Sequence, residues 1–128
     1  MPVIASHMSR DLLTSAPGES VAEAARRMVS RGVGAVLVMD GERLQGILTE
    51  RDVLRAVAEG TVDARVGDRM TRHPETIDAD DATEHAAALM IHGGFRHLPV
   101  LDGGAVVGIV SIRDLMRVVL ADSAPRGA

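Results

Sequence analysis

The chain carries the sequence GILTERD at Gly46–Asp52 and the related sequence GIVSIRD at Gly108–Asp114, 62 residues further along. The match extends outward from these stretches without a gap, so that Met8–Ala58 aligns with Met70–Leu120 and 16 of the 51 positions are identical. One unit is therefore used twice. We expect the two copies to pack as a pair related by a pseudo-twofold axis, with two equivalent grooves.

The composition is that of an ordinary folded protein with an aliphatic core. Of the 128 residues, 46% are hydrophobic and 25% are charged, and Phe95 is the only aromatic residue. The aromatic platforms on which single-stranded nucleic acid stacks are therefore missing. The net charge of −4 also argues against a general binder of the phosphate backbone. We expect no nucleic-acid partner.

The sequence excludes several other classes of protein. It contains no cysteine, so disulfides, thiolate zinc sites and thiol catalysis are ruled out. It shows no charged leader followed by an apolar run, and no apolar stretch of membrane-spanning length. We expect a cytoplasmic protein without a membrane partner.

Each repeat shows the start and stop signals of an amphipathic helix. In the first repeat, Ser20 and Glu23 have the spacing of a capping box, and Gly32 ends the helix. In the second repeat, Asp81 and Glu84 are predicted to repeat the capping box, with a pair of glycines at the helix end.

A β-hairpin is predicted to follow each of these helices. Asp40-Gly41 and Asp102-Gly103 each stand between two apolar runs, which is a strong signal for a hairpin turn. Pro99 lies in the first strand of the second hairpin and cannot donate a hydrogen bond to a sheet. Its strand is therefore expected to lie at a sheet edge or to begin there.

The predicted order of elements is strand, helix, strand, strand, helix, and this order occurs twice. Short extended segments near Leu12–Ser15 and Glu75–Ile77 open the two repeats. The order predicts an α/β (α+β) fold in which each repeat forms a small sheet with helices on one face. We place the first repeat at residues 8–61, the second at 67–122 and a flexible C-terminal tail at 123–128.

The strand-to-helix junctions hold the residues best suited to binding. Thr49 with Asp52, and Ser111 with Asp114, have the spacing of a capping box, which is one interpretation. The other is that a hydroxyl, spare amides and an Asp at a helix N-terminus bind a polyol and a neighbouring phosphate. Both can hold at once. The glycine that opens each junction is predicted to let a flat base approach the backbone.

Two copies of this junction, together with the run Arg96-His97-Leu98-Pro99-Val100, resemble the domain pair named after cystathionine β-synthase, the CBS domain pair. The resemblance covers about Met8 to Ala121. Members of that family typically bind adenosine-containing ligands. The resemblance therefore implies a ligand of this chemical class.

The resemblance also implies a role for particular residues. Asp52 and Asp114 would bind ribose hydroxyls, and Thr49 and Ser111 would contact ribose or phosphate. The opening strands would face the adenine. The remaining members of the implied site are Thr14, Thr76, Ile77 and Pro99.

Basic side chains make the two copies unequal. The resemblance implies that Arg96 and His97 reach the phosphate of a ligand held in the groove of Asp52. The first repeat has Gly34 and Ala35 at the matching positions, so the second groove lacks these cations. The alternative is that Arg96 and His97 form a solvated strand end.

Other polar groups are interpreted as surface features. His85 and His92 lie seven residues apart on a predicted helix without a third ligand, which favours a surface pair over a metal site. The charges at Arg26–Arg27 and at residues 78, 80 and 81 are interpreted as solvated. No residue set has the pattern of a catalytic triad or of paired carboxylates. We therefore expect no enzyme, and no required cofactor or metal.

The sequence thus predicts a stand-alone regulatory module that binds AMP, ADP or ATP, with NAD and S-adenosylmethionine as further candidates, in the cleft between its repeats. It would act as an energy or metabolite sensor through an unidentified effector protein. The rival prediction is a scaffold module whose grooves never hold a ligand. A homodimer is expected through apolar helix faces. The candidate faces contain Met28, Val29, Met90 and Ile91, or Leu54, Leu115 and Met116.

Overall fold

A computed structural model describes residues 2–123 of the chain, with side chains to residue 121. Within this range the fold is mixed α and β, with two separate sheets and five helices. The predicted fold class and the repeated order of strand, helix, strand, strand and helix are confirmed. Of the predicted C-terminal tail, residues 124–128 lie outside the described range, and Ser123 is the last residue of the final helix.

The elements have the following bounds. The strands are β1 (Thr14–Ser15), β2 (Ala35–Asp40), β3 (Arg43–Thr49), β4 (Thr71–Arg72), β5 (Ile77–Asp78), β6 (His97–Asp102) and β7 (Ala105–Ser111). The helices are α1 (Val21–Arg31), α2 (Glu50–Ala58), α3 (Val66–Arg69), α4 (Thr83–Gly93) and α5 (Ile112–Ser123).

The chain divides into two compact units that do not coincide with the sequence repeats. The first-repeat unit is Asp11–Pro74, and the second-repeat unit joins the N-terminal segment up to Arg10 to the residues from Glu75 onward. The first-repeat unit is therefore an insertion within the second-repeat unit. Residues 8–61 and 67–122 remain our proposal for the sequence repeats.

The first-repeat unit is built on a four-stranded sheet in the order β1-β2-β3-β4. Strands β1 and β2 are parallel, and the other pairs are antiparallel. Four successive residues of β2, Ala35–Val38, are buried, as expected of a strand covered on both faces. The aliphatic core of this unit contains Leu13, Ala24, Met28, Val36, Val38, Leu48 and Val66.

The second-repeat unit has the sheet order β5-β6-β7 and uses the N-terminal segment to complete its core. A short 3₁₀ turn at Ile4–Ser6 buries the Ile4 side chain completely. Further along, Ser9 and Ile109 exchange two backbone hydrogen bonds of 2.8 and 2.9 Å. The turn is too short to show an apolar period, and it was not predicted.

The first-repeat unit contains the equivalent pairing, because Thr71 corresponds to Ser9 and Ile47 corresponds to Ile109 at the offset of 62. Thr71 of β4 pairs with Ile47 of β3, as Ser9 pairs with Ile109. The first residues of each aligned repeat, 8–10 and 70–74, therefore belong to the compact unit of the other repeat. Because these opening residues pair with the sheet of the other repeat, the boundaries of the compact units differ from those of the sequence repeats.

The glycine of each junction is needed for this packing. A Cβ atom on Gly46 would lie 2.6 Å from both Sδ of Met70 and the carbonyl oxygen of Thr71. A Cβ atom on Gly108 would lie 2.5 Å from Sδ of Met8. The segments that contain Met70 and Met8 therefore occupy the space next to Gly46 and Gly108 that was predicted for a flat base. The prediction for these glycines is wrong.

Helix capping agrees with the sequence in part in the first repeat and differs in the second. The Ser20 hydroxyl accepts a 3.1 Å hydrogen bond from the Glu23 amide, and Gly32 ends α1 with a φ of +67°. The Glu23 carboxylate binds Arg26, so the bond between Ser20 and Glu23 is the Ser20 half of the predicted capping box. The predicted capping box at Asp81 is wrong, because α4 is preceded by Ala82, which provides no side-chain cap. Ala82 is the true counterpart of Ser20 at the offset of 62.

Both predicted hairpins are present, but the predicted place of Pro99 is wrong. Its strand, β6, lies between β5 and β7. Strand β5 pairs only with Val100 and Leu101, so Pro99 lies beyond its end and needs no donor there. In the other copy, the matching Leu37 does donate, to the Leu13 carbonyl over 2.9 Å.

Candidate functional site

The first junction joins β3 to α2 through Thr49 and Asp52. The Thr49 amide donates to Oδ2 of Asp52 over 2.9 Å, and the Asp52 amide donates to the Thr49 hydroxyl over 3.4 Å. The Thr49 hydroxyl also donates to Oδ2 of Asp52 over 3.1 Å. This is a complete capping box, and Asp52 is buried at the helix start.

The second junction has the same geometry with serine in place of threonine. The Ser111 amide donates to Oδ2 of Asp114 over 2.8 Å, and the Asp114 amide donates to the Ser111 hydroxyl over 3.2 Å. The capping interpretation therefore holds in both copies. It fixes the rotamer of each Asp by bonds to one carboxylate oxygen.

The other carboxylate oxygen of each Asp has a weaker contact. Oδ1 of Asp52 lies 4.0 Å from Nη1 of Arg55, and Oδ1 of Asp114 lies 3.5 Å from Nη1 of Arg117. Both arginine side chains are largely exposed, so these contacts yield readily to a ligand. A held carboxylate with an oxygen available in this way suits the paired hydroxyls of a ribose.

Part of the predicted row of spare amides is already bonded within the protein at each helix start. The Glu50 amide donates to the Gly34 carbonyl over 3.0 Å, and the Ile112 amide donates to the Arg96 carbonyl over 2.9 Å. Together with the capped Asp52 and Asp114 amides, these bonds use two of the amides predicted for a phosphate at each junction. Recognition of a phosphate then depends more on side chains.

Arg96 and His97 belong to the second-repeat unit, beside their own junction. His97 is directly opposite Ser111 in the ladder between β6 and β7, which places their side chains on the same face of the sheet. Ala35 takes this place opposite Thr49. The Arg96 side chain is exposed and His97 is half-buried. Their assignment to the groove of Asp52 stays a prediction.

The other predicted contact residues differ in their accessibility. Thr14 in β1 is exposed, and Thr76 just before β5 is half-buried. The Ile77 and Pro99 side chains are buried, and Ile77 belongs to the core of its unit. Ile77 and Pro99 therefore offer a ligand mainly their backbone.

One group of polar residues beside β1 was missed by the sequence reasoning. Arg27, interpreted there as a solvated charge, binds Glu19 through two nitrogens and the Thr14 carbonyl through a third. The solvated interpretation is wrong for Arg27, although Arg26 is an exposed surface residue paired with Glu23. No local pattern marks a contact between residues eight positions apart across a loop and a helix.

The remaining polar groups do not form a metal site. In the part of the chain that the structure describes, no three His, Cys, Asp or Glu side chains are grouped to hold a metal ion. Nδ1 of His85 lies 2.6 Å from Oδ2 of Asp81, and this hydrogen bond is the main cause that lowers the pKa of Asp81. His92 is exposed near the end of the same helix.

A cavity of about 610 Å³ lies at the hairpin end of the second-repeat sheet. Its lining includes Asp78, Asp80 and Asp102, together with the glycines of the turn. It lies at the opposite end of β6 from His97 and Ser111. Three carboxylates disfavour a phosphate there, so the junctions remain the candidate site.

Comparison with known proteins identifies the family. The CBS domain matches residues 4–59 and 66–121, and the chain therefore belongs to the CBS domain family as a tandem pair. An uncharacterised 17.7 kDa protein of Acidianus ambivalens is 39% identical over 106 residues, which are 81% of this chain. The chain spans 65% of that relative's length.

Two solved structures of similar proteins contain ligands. The CBS domain protein PAE2072 of Pyrobaculum aerophilum, complexed with AMP, is 27% identical with a TM-score of 0.86, covering 96% of this chain and 98% of that one. The CBS domain pair of protein MJ0100, in complex with 5′-methylthioadenosine and S-adenosyl-L-methionine, is 26% identical with a TM-score of 0.89. That match covers 95% of this chain and 98% of the other.

Among the described residues, no helix has the length and apolar character needed to cross a membrane.

Proposed function

We propose that this chain is a regulatory module that binds an adenosine-containing ligand at its strand-to-helix junctions. The observation that carries the proposal is the carboxylate of Asp52, with its counterpart Asp114, held in place by the cap through one oxygen. Oδ1 of each can accept hydrogen bonds from the two neighbouring hydroxyls of a ribose. The cap fixes the acceptor before the ligand arrives, which lowers the entropy cost of binding.

The ligands named for the two similar structures support adenosine as the shared feature. AMP, 5′-methylthioadenosine and S-adenosyl-L-methionine all contain adenosine, and only AMP carries a phosphate. Asp52 and Asp114 suit the part that these ligands share. Arg96 and His97 are the groups through which this chain would favour a phosphorylated ligand.

A thermal-shift panel tests the proposal. AMP, ADP, ATP, NAD, S-adenosylmethionine and 5′-methylthioadenosine are added separately to the parent chain and to the double variant Asp52→Ala, Asp114→Ala. At least one compound should raise the melting temperature of the parent, because a ligand that binds only the native state stabilises it. The double variant should not respond. A parent that responds to none of the six supports the rival scaffold function.

We also propose that the module works as a homodimer. Three pairs of large apolar side chains related by the offset of 62 are at least half exposed. They are Val29 with Ile91, Leu54 with Met116, and Val57 with Val119. Exposed apolar residues repeated in this way are typical of an interface. A second copy of the chain would cover the exposed residues of both repeats. The predicted faces were wrong for Met28, Met90 and Leu115, because these side chains are buried in the cores of their units.

A regulatory output requires that the ligand bind two states of the module unequally. Those states could differ in the assembly of the module or in its affinity for an effector protein. The thermal-shift panel repeated at two protein concentrations separates these cases, since a ligand that changes assembly makes the shift depend on concentration.

A further inference from the structure

Strand β1 is a short element held by a side chain from α1. It consists of Thr14 and Ser15 alone and lies at the edge of its sheet, where β2 is its one neighbouring strand. Nη1 of Arg27 donates to the Thr14 carbonyl over 2.9 Å. A two-residue edge strand has few ladder bonds, so this contact adds a side-chain anchor to its backbone.

Arg27 is itself held by Glu19. Nε of Arg27 donates to Oε1 of Glu19 over 3.0 Å and Nη2 donates to Oε2 over 2.5 Å, which is the two-bond geometry that orients a guanidinium. The hydroxyl of Ser15, a buried residue, lies 2.7 Å from Oε2 of Glu19. The carboxylate thus ties the helix to both residues of β1.

The second repeat has apolar residues in these places. The counterparts of Ser15 and Arg27 are Ile77 and Leu89, which lie in or against the hydrophobic core of the second-repeat unit. The Leu89 side chain has no hydrogen-bond donor for a carbonyl. The contacts of Arg27 with Glu19 and Thr14 are therefore a feature of the first repeat alone, although the capping boxes at the two strand-to-helix junctions are the same.

We propose that Arg27 is a positioning residue for ligand binding in the first-repeat unit. Through the Thr14 carbonyl and Glu19, it fixes the strand against which the base of an adenosine ligand lies. This inference rests on the proposed function and on the family resemblance, which implies that Thr14 lies in the site and that its strand faces the adenine. Arg27 is not itself a ligand contact.

The test measures AMP affinity by calorimetry, one site at a time. The Asp114→Ala background leaves the site of Asp52, and the Asp52→Ala background leaves the other. Arg27→Leu, which introduces the residue of the second repeat, should weaken AMP binding about tenfold in the first background, roughly the effect of one hydrogen bond to a charged group. It should leave AMP binding unchanged in the second background.

Arg26→Leu is the matched control, because Arg26 precedes Arg27 on α1 and pairs only with Glu23 among the bonds described for it. Its AMP affinity should equal that of the parent in both backgrounds. The urea midpoint of each variant is measured as well. If a variant is as stable as the parent, its loss of AMP affinity is due to a change at the site and not to unfolding. If Arg27→Leu fails to fold, Glu19→Gln keeps the shape and weakens the ion pair, and it should reduce AMP binding in the same background.

Equal affinities for Arg27→Leu and Arg26→Leu in the Asp114→Ala background would overturn the inference. An equal loss in both backgrounds would also overturn it, because it would show a general effect on the fold. If the parent chain itself binds no AMP, the proposed function fails for that ligand and takes the inference with it. The parent titration therefore distinguishes the two failures.

Discussion

Thr49 and Asp52 cap α2 reciprocally, with the Thr49 amide bound to the Asp52 carboxylate and the Asp52 amide bound to the Thr49 hydroxyl. The same two residues are the centre of the proposed ligand site. This one pair of residues therefore contributes both to the stability of the fold and to the proposed ligand affinity. A useful substitution must change one of these two quantities without the other.

The substitution Thr49→Ala removes the cap and should lower the free energy of unfolding by about 1 kcal/mol. It should also weaken AMP binding if the hydroxyl contacts the ligand. Thr49→Asp distinguishes the two roles, because Asp can cap a helix and repels a phosphate, and repulsion from the neighbouring Asp52 carboxylate should lower its stability relative to the parent. Urea denaturation and calorimetry measure both quantities. A Thr49→Asp chain that is stable and binds AMP as tightly as the parent would show that Thr49 is only a cap.

The two sites should differ in affinity for AMP. The resemblance assigns Arg96 to the ligand at Asp52, and hydrogen bonds to charged groups are typically worth about 1.5–3 kcal/mol, or roughly tenfold to a hundredfold. Asp52→Ala and Arg96→Ala should each abolish the tight phase in calorimetry, and Asp114→Ala should leave it. His97 is directly opposite Ser111 within one unit, which makes the opposite result a real alternative. If Asp114→Ala removes the tight phase and Asp52→Ala spares it, the assignment of Arg96 and His97 to the site of Asp52 is wrong.

The junction glycine should be intolerant of a methyl group. Gly46→Ala places a Cβ atom 2.6 Å from the backbone oxygen of Thr71, which cannot move aside without shifting β4. The free energy of unfolding should fall by about 1–3 kcal/mol, as for other overpacked sites. Gly18→Ala is the control, since a Cβ atom there meets nothing within 4 Å. Urea denaturation showing the same stability for both variants would contradict the packing role of Gly46.

The homodimer should depend on the exposed apolar helix faces. Leu54 is 69% exposed and Met116 is 50% exposed, and a charge at either position would be buried without a partner in an interface. Light scattering in the micromolar range should give a dimer mass for the parent and a monomer mass for Leu54→Glu and Met116→Glu. Ala105→Glu, at an exposed hairpin residue, should remain a dimer. A monomer mass for the parent would refute the proposed assembly.

Much of the fold could be predicted from local signals, because capping residues and turn glycines act over a few positions. Ser20, Gly32 and the two hairpin turns were placed correctly for this reason. The junction boxes were also predicted, since their spacing of three residues is set by the first turn of a helix.

The parts that could not be predicted depend on contacts between distant segments. Strand β4 and the turn at Ile4–Ser6 are too short to show a period, and their place follows from the space above Gly46 and the core around Ile4. Arg27 gave no signal because its partners come together only when β1 packs beside α1. The use of the helix-start amides by Gly34 and Arg96 likewise requires the folded hairpin.

The decisive experiment is the calorimetric titration of AMP into the parent chain and into the double variant Asp52→Ala, Asp114→Ala. We expect saturable binding to the parent, and no binding to the double variant while its far-ultraviolet circular dichroism stays that of the parent. Equal binding of AMP to both chains would contradict the claim that these two carboxylates hold an adenosine ligand.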